Sequence, residues 1–249
     1  MKPSTRYLVW FSCGAASAVA AKLTLAQYPD AEVLYCDTLA YEHPDNVRFL
    51  LDCEHWLGKP IKRLRSTEYT DIFDVFNRTG WLVGPHGARC TTELKKKVRQ
   101  AYSTSTDIHI FGFTAEEGKR IDRFEEQNPE LQVRWVLYNA GITKQDCLDK
   151  LKAAGIALPE MYRLGYKNNN CIGCVKGGMG YWNKIRRDFP AAFARMAQQE
   201  RTMGTRIFKD VWLDDLPPHA GRYESELEVE CGVVCQPHLF ETAKMDFSK

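Results

Sequence analysis

The chain has 249 residues, of which 44% are hydrophobic and 27% charged, with a formal net charge of +2. Those values suit a globular protein with a sizeable core and exclude a disordered or low-complexity chain. No apolar run approaches the ~20 residues that span a membrane. The start, Met1 to Tyr7, leads into a strand and does not read as a signal peptide, so a cytoplasmic protein is expected. In that compartment nine cysteines read as buried hydrophobes when single, and as metal ligands or redox groups when clustered.

In chain order, Arg6 to Ser12 predicts a buried strand and Gly14 to Gln27 a helix, stopped at Tyr28-Pro29-Asp30. Ala31 to Cys36 is a second strand, closed by Asp37-Thr38. Pro44 opens a second helix at a favoured first-turn position. Its apolar face is read as Val47, Leu50, Leu51 and Trp56, and it stops at Gly58. Ile61 to Arg65 is a third strand, and Thr70 to Asn77 a helix. Gly80 to Cys90 is a Gly/Pro-rich loop, after which Thr91 or Thr92 caps a basic helix through Tyr102. Asp107 to Phe113 is a fourth strand, Ala115 to Gln127 a charged helix, Val133 to Leu137 a fifth strand, and Thr143 to Ala154 a helix. From Leu158 the texture turns to Pro, Gly, Asn and Cys, with helices expected from Tyr181 to Arg187 and from Pro190 to about Gln199. Strands alternating with helices imply an α/β fold: a parallel twisted sheet of about five strands with helices on both faces. The composition shift divides the chain into residues 1–160 and a Cys-rich helical and loop part, 161–249, packed on them.

Four stretches carry chemistry. Ser12-Cys13-Gly14-Ala15-Ala16-Ser17 joins the first strand to the first helix, where free N–H groups and the helix dipole favour an anion. Ser12 and Ser17 add hydroxyl donors, and Gly14 lets the backbone come close. No Gly-Lys-Ser/Thr follows, so it is not a Walker loop. Asp37 ends the second strand at the same sheet edge; it suits a ribose hydroxyl, an adenine amine, magnesium or a plain turn. After the fourth strand, Gly112-Phe113-Thr114 leads to Arg120 and Arg123, a phosphate contact or a solvated face. Cys171-Ile172-Gly173-Cys174 has metal-ligand spacing, and Cys231 and Cys235 form a second close pair. Cys90 follows Arg89 at a helix start, which favours thiolate. Cys36, Cys53 and Cys147 read as small buried hydrophobes, and Cys13 as either cradle or filler. The basic runs Lys95-Lys96-Lys97 with Arg99, and Arg186-Arg187, read as solvated helix faces in preference to nucleic-acid contacts.

Taken together these pieces resemble the PP-loop, or adenine-nucleotide alpha hydrolase, superfamily, and within it the phosphoadenosine phosphosulfate (PAPS) reductase family, with its phage-type and DNA-phosphorothioation ATPase relatives. The resemblance runs from Tyr7 to about Gln236. It rests on Phe-Ser-x-Gly-x-x-Ser (11–17), Cys-Asp-Thr (36–38), Arg-Cys-Thr-x-x-Leu-Lys (89–95), the Gly-Phe-Thr to Arg-Ile-Asp-Arg loop, Cys-x-Gly-Cys (171–174) and Glu-Cys-Gly (230–232). It implies an adenine nucleotide, ATP with magnesium or PAPS, held by Ser12, Gly14, Ala15 and Ser17, with Asp37, Lys95, Gly112 and Arg120 lining the pocket. It implies a [4Fe–4S] cluster on Cys90, Cys171 and Cys174, with Cys235 or Cys231 as fourth ligand because Thr91 replaces the second cysteine of the family's Cys-Cys pair. Zinc is the alternative metal, and an iron left open to bind sulfur is another outcome. Cys231 sits where the reductases carry the nucleophile that takes up sulfonate, later released by a thioredoxin-like reductant. Val233-Val234-Cys235 departs from that family's ending, and Ala15-Ala16 replaces the usual acidic position of ATP-using members. The activity implied is sulfonucleotide reduction or ATP-dependent sulfur transfer, with a sulfur donor and a nucleic-acid acceptor as further partners, no membrane, and a homodimer as one assembly. The competing reading is a non-catalytic nucleotide- or nucleic-acid-binding module with structural zinc.

Overall fold

The computed structural model describes residues 5–84 and 87–226. Cys231 and Cys235 lie outside the described residues. The first elements are β1 (Tyr7–Phe11), α1 (Ala15–Gln27), β2 (Glu32–Cys36), α2 (Asn46–Leu57), β3 (Lys62–Leu64) and α3 (Ile72–Thr79). A hairpin follows, β4 (Val83–Gly84) with β5 (Gly87–Ala88), then a continuous helical stretch: α4 (Arg89–Thr91), a π-helical segment (Thr92–Lys96) and α5 (Lys97–Tyr102). Next are β6 (Ile108–Ile110), a 3₁₀ turn (Ala115–Glu117), α6 (Gly118–Gln127), β7 (Gln132–Arg134), α7 (Val136–Asn139) and α8 (Lys144–Ala153). The last are α9 (Glu160–Arg163), α10 (Met179–Asp188) and α11 (Pro190–Met203).

Five strands form one parallel sheet in the order β3-β2-β1-β6-β7. Alternate residues of β1 enter different cores, as the period of two demands. Val9 and Phe11 join Val33, Tyr35 and Ile110 under α1, α2 and α8. Leu8 and Trp10 join Leu34, Phe111, Val98 of α5, and Ile121 and Phe124 of α6 on the other face. The sheet is therefore covered on both sides, which is why its strands read as continuous apolar runs. A third cluster draws on α3, Leu82 and Leu94 together with Met161, Tyr166, Trp182, Ile185, Phe193 and Leu213.

The α/β expectation and the five strands hold, with shorter edges than the sequence suggests. Val133 to Leu137 divides into β7 and the single turn α7. Two corrections are physical. On α2 the buried residues are Asn46, Phe49, Leu50, Cys53 and Leu57, while Val47 and Leu51 are 44% and 52% exposed. A polar residue, Asn46, occupies the inward face, and this shifts the buried stripe by a fraction of a turn. The basic helix begins at Arg89, so Thr91 is inside it, and its charges are not all solvated. Lys95 is 7% exposed and Arg99 1%. Lys97 and Arg89 instead pair with the buried Glu93 at 2.6 and 2.8 Å, one helical turn away on either side.

Candidate anion-binding loop at the sheet switch point

The strand order reverses at β1: the chain passes from β1 out to β2 and β3, then returns to add β6 on the other side. Ligands of open α/β sheets sit beyond the carboxyl ends of the strands at such a point. Ser12-Cys13-Gly14 leaves β1 there and feeds α1, whose N-cap is Gly14. Val9 is paired with Ile110, so the register brings Gly112 to the same edge.

The loop is tightly folded. Cys13 is the one non-glycine residue with positive φ (58°) among the described residues. Its side chain is fully buried, and burial, with the Glu42 carboxylate nearby, pushes its thiol well above the usual range. Three donors converge on one oxygen, the Ser17 hydroxyl: Ser12 N–H at 3.0 Å, Gly14 N–H at 3.4 Å and Ser12 Oγ–H at 3.1 Å. Ser17 in turn donates to the Gly14 carbonyl at 2.9 Å. The arrangement holds backbone and hydroxyl donors around a single acceptor oxygen at the start of a 13-residue helix, where the dipole adds a positive partial charge.

Gly112 closes the other side. A Cβ there would lie 2.6 Å from Ser17 N and 2.8 Å from Ser17 Cα, so only glycine lets the β6 edge come this close to α1. Ser12, Gly14, Ala15, Ser17 and Gly112 thus meet in one place. Asp37 ends β2 on the same edge, but its carboxylate is held by the exposed Arg65 through bonds of 2.7 and 3.0 Å and by Leu39 N–H at 3.2 Å. Lys95 packs at the end of β2, where Cys36 Sγ lies 3.8 Å from its carbonyl. Arg120 is largely buried, paired with Glu117 and lying over the Phe113 ring at 4.1 Å.

Cys171 and Cys174 lie on a turn with Gly173 at φ 76°. The turn is organised by the Tyr181 hydroxyl, which accepts from Gly173 N–H (3.1 Å) and Cys174 N–H (3.0 Å) and donates to the Cys171 carbonyl (3.1 Å). Cys174 belongs to the third apolar cluster, and Cys90 packs against that same cluster. Among the described residues no three His, Cys, Asp or Glu side chains gather as a metal-binding group. Cys235 and Cys231, either of which the resemblance implies as the fourth ligand, lie outside the described residues. Cys36, Cys53 and Cys147 are buried hydrophobes as expected, each pushed up to about 12 by burial.

Sequence reasoning missed a buried polar chain beside the loop. Thr38 Oγ1 donates to Glu42 Oε1 at 2.6 Å, and Glu42 Oε2 accepts from Asn46 Nδ2 at 2.7 Å. Asn169 Nδ2 donates to Asn46 Oδ1 at 2.8 Å and to the Cys13 carbonyl at 2.6 Å. It also missed Tyr162, whose hydroxyl stands 3.4 Å from where a Gly14 Cβ would be. The signal available was the Asn168-Asn169-Asn170 run, which composition alone presents as loop.

Fold and site define a doubly wound parallel α/β protein with a donor-rich strand-to-helix loop at its switch point. No protein-family model matches the chain, and no curated protein matches it. Among the described residues no helix is long and apolar enough to cross a membrane.

Proposed function

We propose that the protein binds an adenine nucleotide through the Ser12–Ser17 loop and carries out sulfur chemistry on it, in the manner of the PAPS reductase family that its motifs resemble. The observation that supports this most is the convergence of three donors on the Ser17 hydroxyl oxygen, beside Gly112 and at the switch point. A phosphate or sulfate oxygen offers the same acceptor with more charge, and charge-assisted hydrogen bonds are the stronger kind. Ser12, Gly14 and Ser17 hold the anion in this reading, Gly112 lets the β6 edge close against α1 beside it, and the Tyr162 hydroxyl stands next to Gly14.

Sulfonucleotide reduction is the leading form of the proposal; ATP-dependent sulfur transfer is the other. Ala15 and Ala16 place no carboxylate in the loop to help hold a metal-bound triphosphate. In the reduction, the Cys231 thiolate attacks the sulfate sulfur. An S–S bond forms, the S–O bond to phosphate breaks, and the nucleotide leaves with the electron pair. A dithiol reductant then attacks Cys231 sulfur, is oxidised to its disulfide and releases sulfite.

The test is equilibrium binding of PAPS and of ATP to the full chain, followed by assay for sulfite with a dithiol reductant and for pyrophosphate. The expected outcome is micromolar binding of one of them, lost in Ser17→Ala, with release of the matching product. Failure of both to bind overturns the nucleotide reading. Binding without either product favours the non-catalytic module.

A further inference from the structure

The buried polar chain does more than fill space. Its last link, Asn169, reaches two places with one amide group: Nδ2 donates to the Cys13 carbonyl at 2.6 Å and to Asn46 Oδ1 at 2.8 Å. Cys13 is the strained residue of the opening loop, at φ 58°, and its carbonyl is the group that Asn169 holds. Asn46 and Asn169 are 0% and 6% exposed, so water offers no ready substitute. Asn46 is held by Glu42, which is itself held by Thr38, one residue beyond Asp37. The amide of Asn169 therefore fixes the loop against a scaffold anchored at the ends of β1 and β2.

Asn169 also sits two residues before Cys171. The next link in that direction is Ile172 N–H, which donates to the Tyr41 carbonyl at 2.7 Å. Tyr41 ends the short 3₁₀ turn Leu39–Tyr41 that precedes Glu42. Beyond it, Gly173 and Cys174 hang on Tyr181. The thiol-bearing turn and the anion loop thus share one support on either side of Asn169, although 156 residues separate Asn169 from Cys13 in the chain.

We propose that Asn169 is a positioning residue for the Ser12–Ser17 loop, and that it couples occupancy of that loop to the order of the Cys171–Cys174 turn. This rests on the anion-binding reading of the loop, not on any metal. Such coupling is reciprocal: if an occupied loop orders the turn, an ordered turn strengthens binding at the loop by the same factor.

The experiment measures amide hydrogen exchange on the full chain, with PAPS and with ATP as probes. Saturating probe slows exchange at Gly173 and Cys174 in the wild type by about fivefold or more. Asn169→Ala binds the probe about tenfold more weakly, the cost of one lost buried hydrogen bond to the loop. At saturation it leaves Gly173 and Cys174 unchanged. Persistence of the slowing in Asn169→Ala, or its absence in a saturated wild type, overturns the coupling. If Asn169→Ala does not fold, Asn169→Leu, which keeps the bulk and has no donor, takes its place with the same two outcomes.

If neither nucleotide binds the wild type, the nucleotide reading fails, and the coupling is decided without ligand. Gly173→Ala strains the turn, because φ is 76° and the new Cβ meets the Trp182 ring at 3.1 Å. It raises exchange at Cys13 and Gly14 in the wild-type background and adds nothing in the Asn169 variant. No rise, or equal rises in both backgrounds, overturns the proposal.

Discussion

Trp10 Nε1 donates a 2.9 Å hydrogen bond to His109 Nδ1, and both side chains are buried on the face of the sheet covered by α5 and α6. The bond requires Nδ1 to be unprotonated, which places the ring proton on Nε2. Burial, and then the neighbouring Arg99 charge, holds His109 down to about 4 against an ordinary 6.5. The unfolded chain therefore binds a proton between those values that the native state does not. Stability rises with pH through that window, so the His109 contribution is complete above pH 6.5 and is lost as pH falls toward 4. At ~1.4 kcal/mol per unit the effect is on the order of 3 kcal/mol. Denaturant titrations from pH 4 to 7 should show a smaller slope in His109→Gln than in the wild type. Arg99→Met, which removes the nearby positive charge, should move the low-pH end of the window upward. Identical slopes in wild type and His109→Gln would contradict the assignment.

The second prediction concerns Gly112. An alanine Cβ would press on Ser17 N, Ser17 Cα and Ala16 C at 2.6, 2.8 and 2.9 Å, all backbone atoms that cannot swing aside. Gly112→Ala must displace β6 from α1 or distort the loop. Overpacking of this kind costs roughly 1–3 kcal/mol. Anion affinity should fall further than stability does, because the displaced atoms are the loop itself. Chemical denaturation and binding to the same protein separate the two; a variant with normal affinity and reduced stability would make Gly112 a packing residue only.

Much of this architecture could be read from the chain. Continuous apolar runs such as Leu8-Val9-Trp10-Phe11 announce strands buried on both faces, and the small residues of 12–17 announce a tight turn into a helix. What could not be read is polar burial. Asn46 reads as part of a helix start and Asn169 as loop, yet they are held inside by partners far along the chain. Their burial turns α2 and leaves Val47 and Leu51 outside. Lys95 and Arg99 look like a solvated stripe for the same reason: a charge pattern does not reveal which side of a helix faces the sheet. Asp37 was legible as a strand-end residue, but its pairing with Arg65 depends on the β2–β3 register.

Thiol reactivity offers a third prediction. Cys36, Cys53 and Cys147 are at most 3% exposed and pushed up to about 12 by burial, so little thiolate forms at neutral pH. Cys13 is fully buried and pushed the same way. Native protein treated with iodoacetamide at pH 8 should leave these four unmodified until denaturant is added, as read by peptide mass spectrometry. Rapid native labelling of any of them would contradict its place in the core.

The last prediction turns on the three glycines around Glu226. Its carboxylate accepts from Tyr181 N–H at 2.9 Å and from Gly180 N–H, at the start of the ten-residue helix α10. A carboxylate there complements the helix dipole. The fit depends on absent side chains: Cβ atoms at Gly178, Gly180 and Gly221 would come within 2.7, 2.6 and 2.7 Å of that carboxylate. Gly221 is the most constrained, with φ 74° and a would-be Cβ 2.2 Å from Gly180 N. Lys167 reinforces the same segment by donating to the Glu224 carbonyl at 3.2 Å and to the Glu226 carbonyl. Gly221→Ala should therefore lift residues 221–226 from α10 while the sheet stays folded. Limited proteolysis should cut this segment several times faster in the variant, and Glu226→Gln, which keeps the shape and weakens the dipole contact, should give a smaller increase in the same direction. Unchanged cleavage in Gly221→Ala would mean that the segment is held by its aromatic contacts, Tyr223 with Tyr166 and Tyr181, and not by the carboxylate.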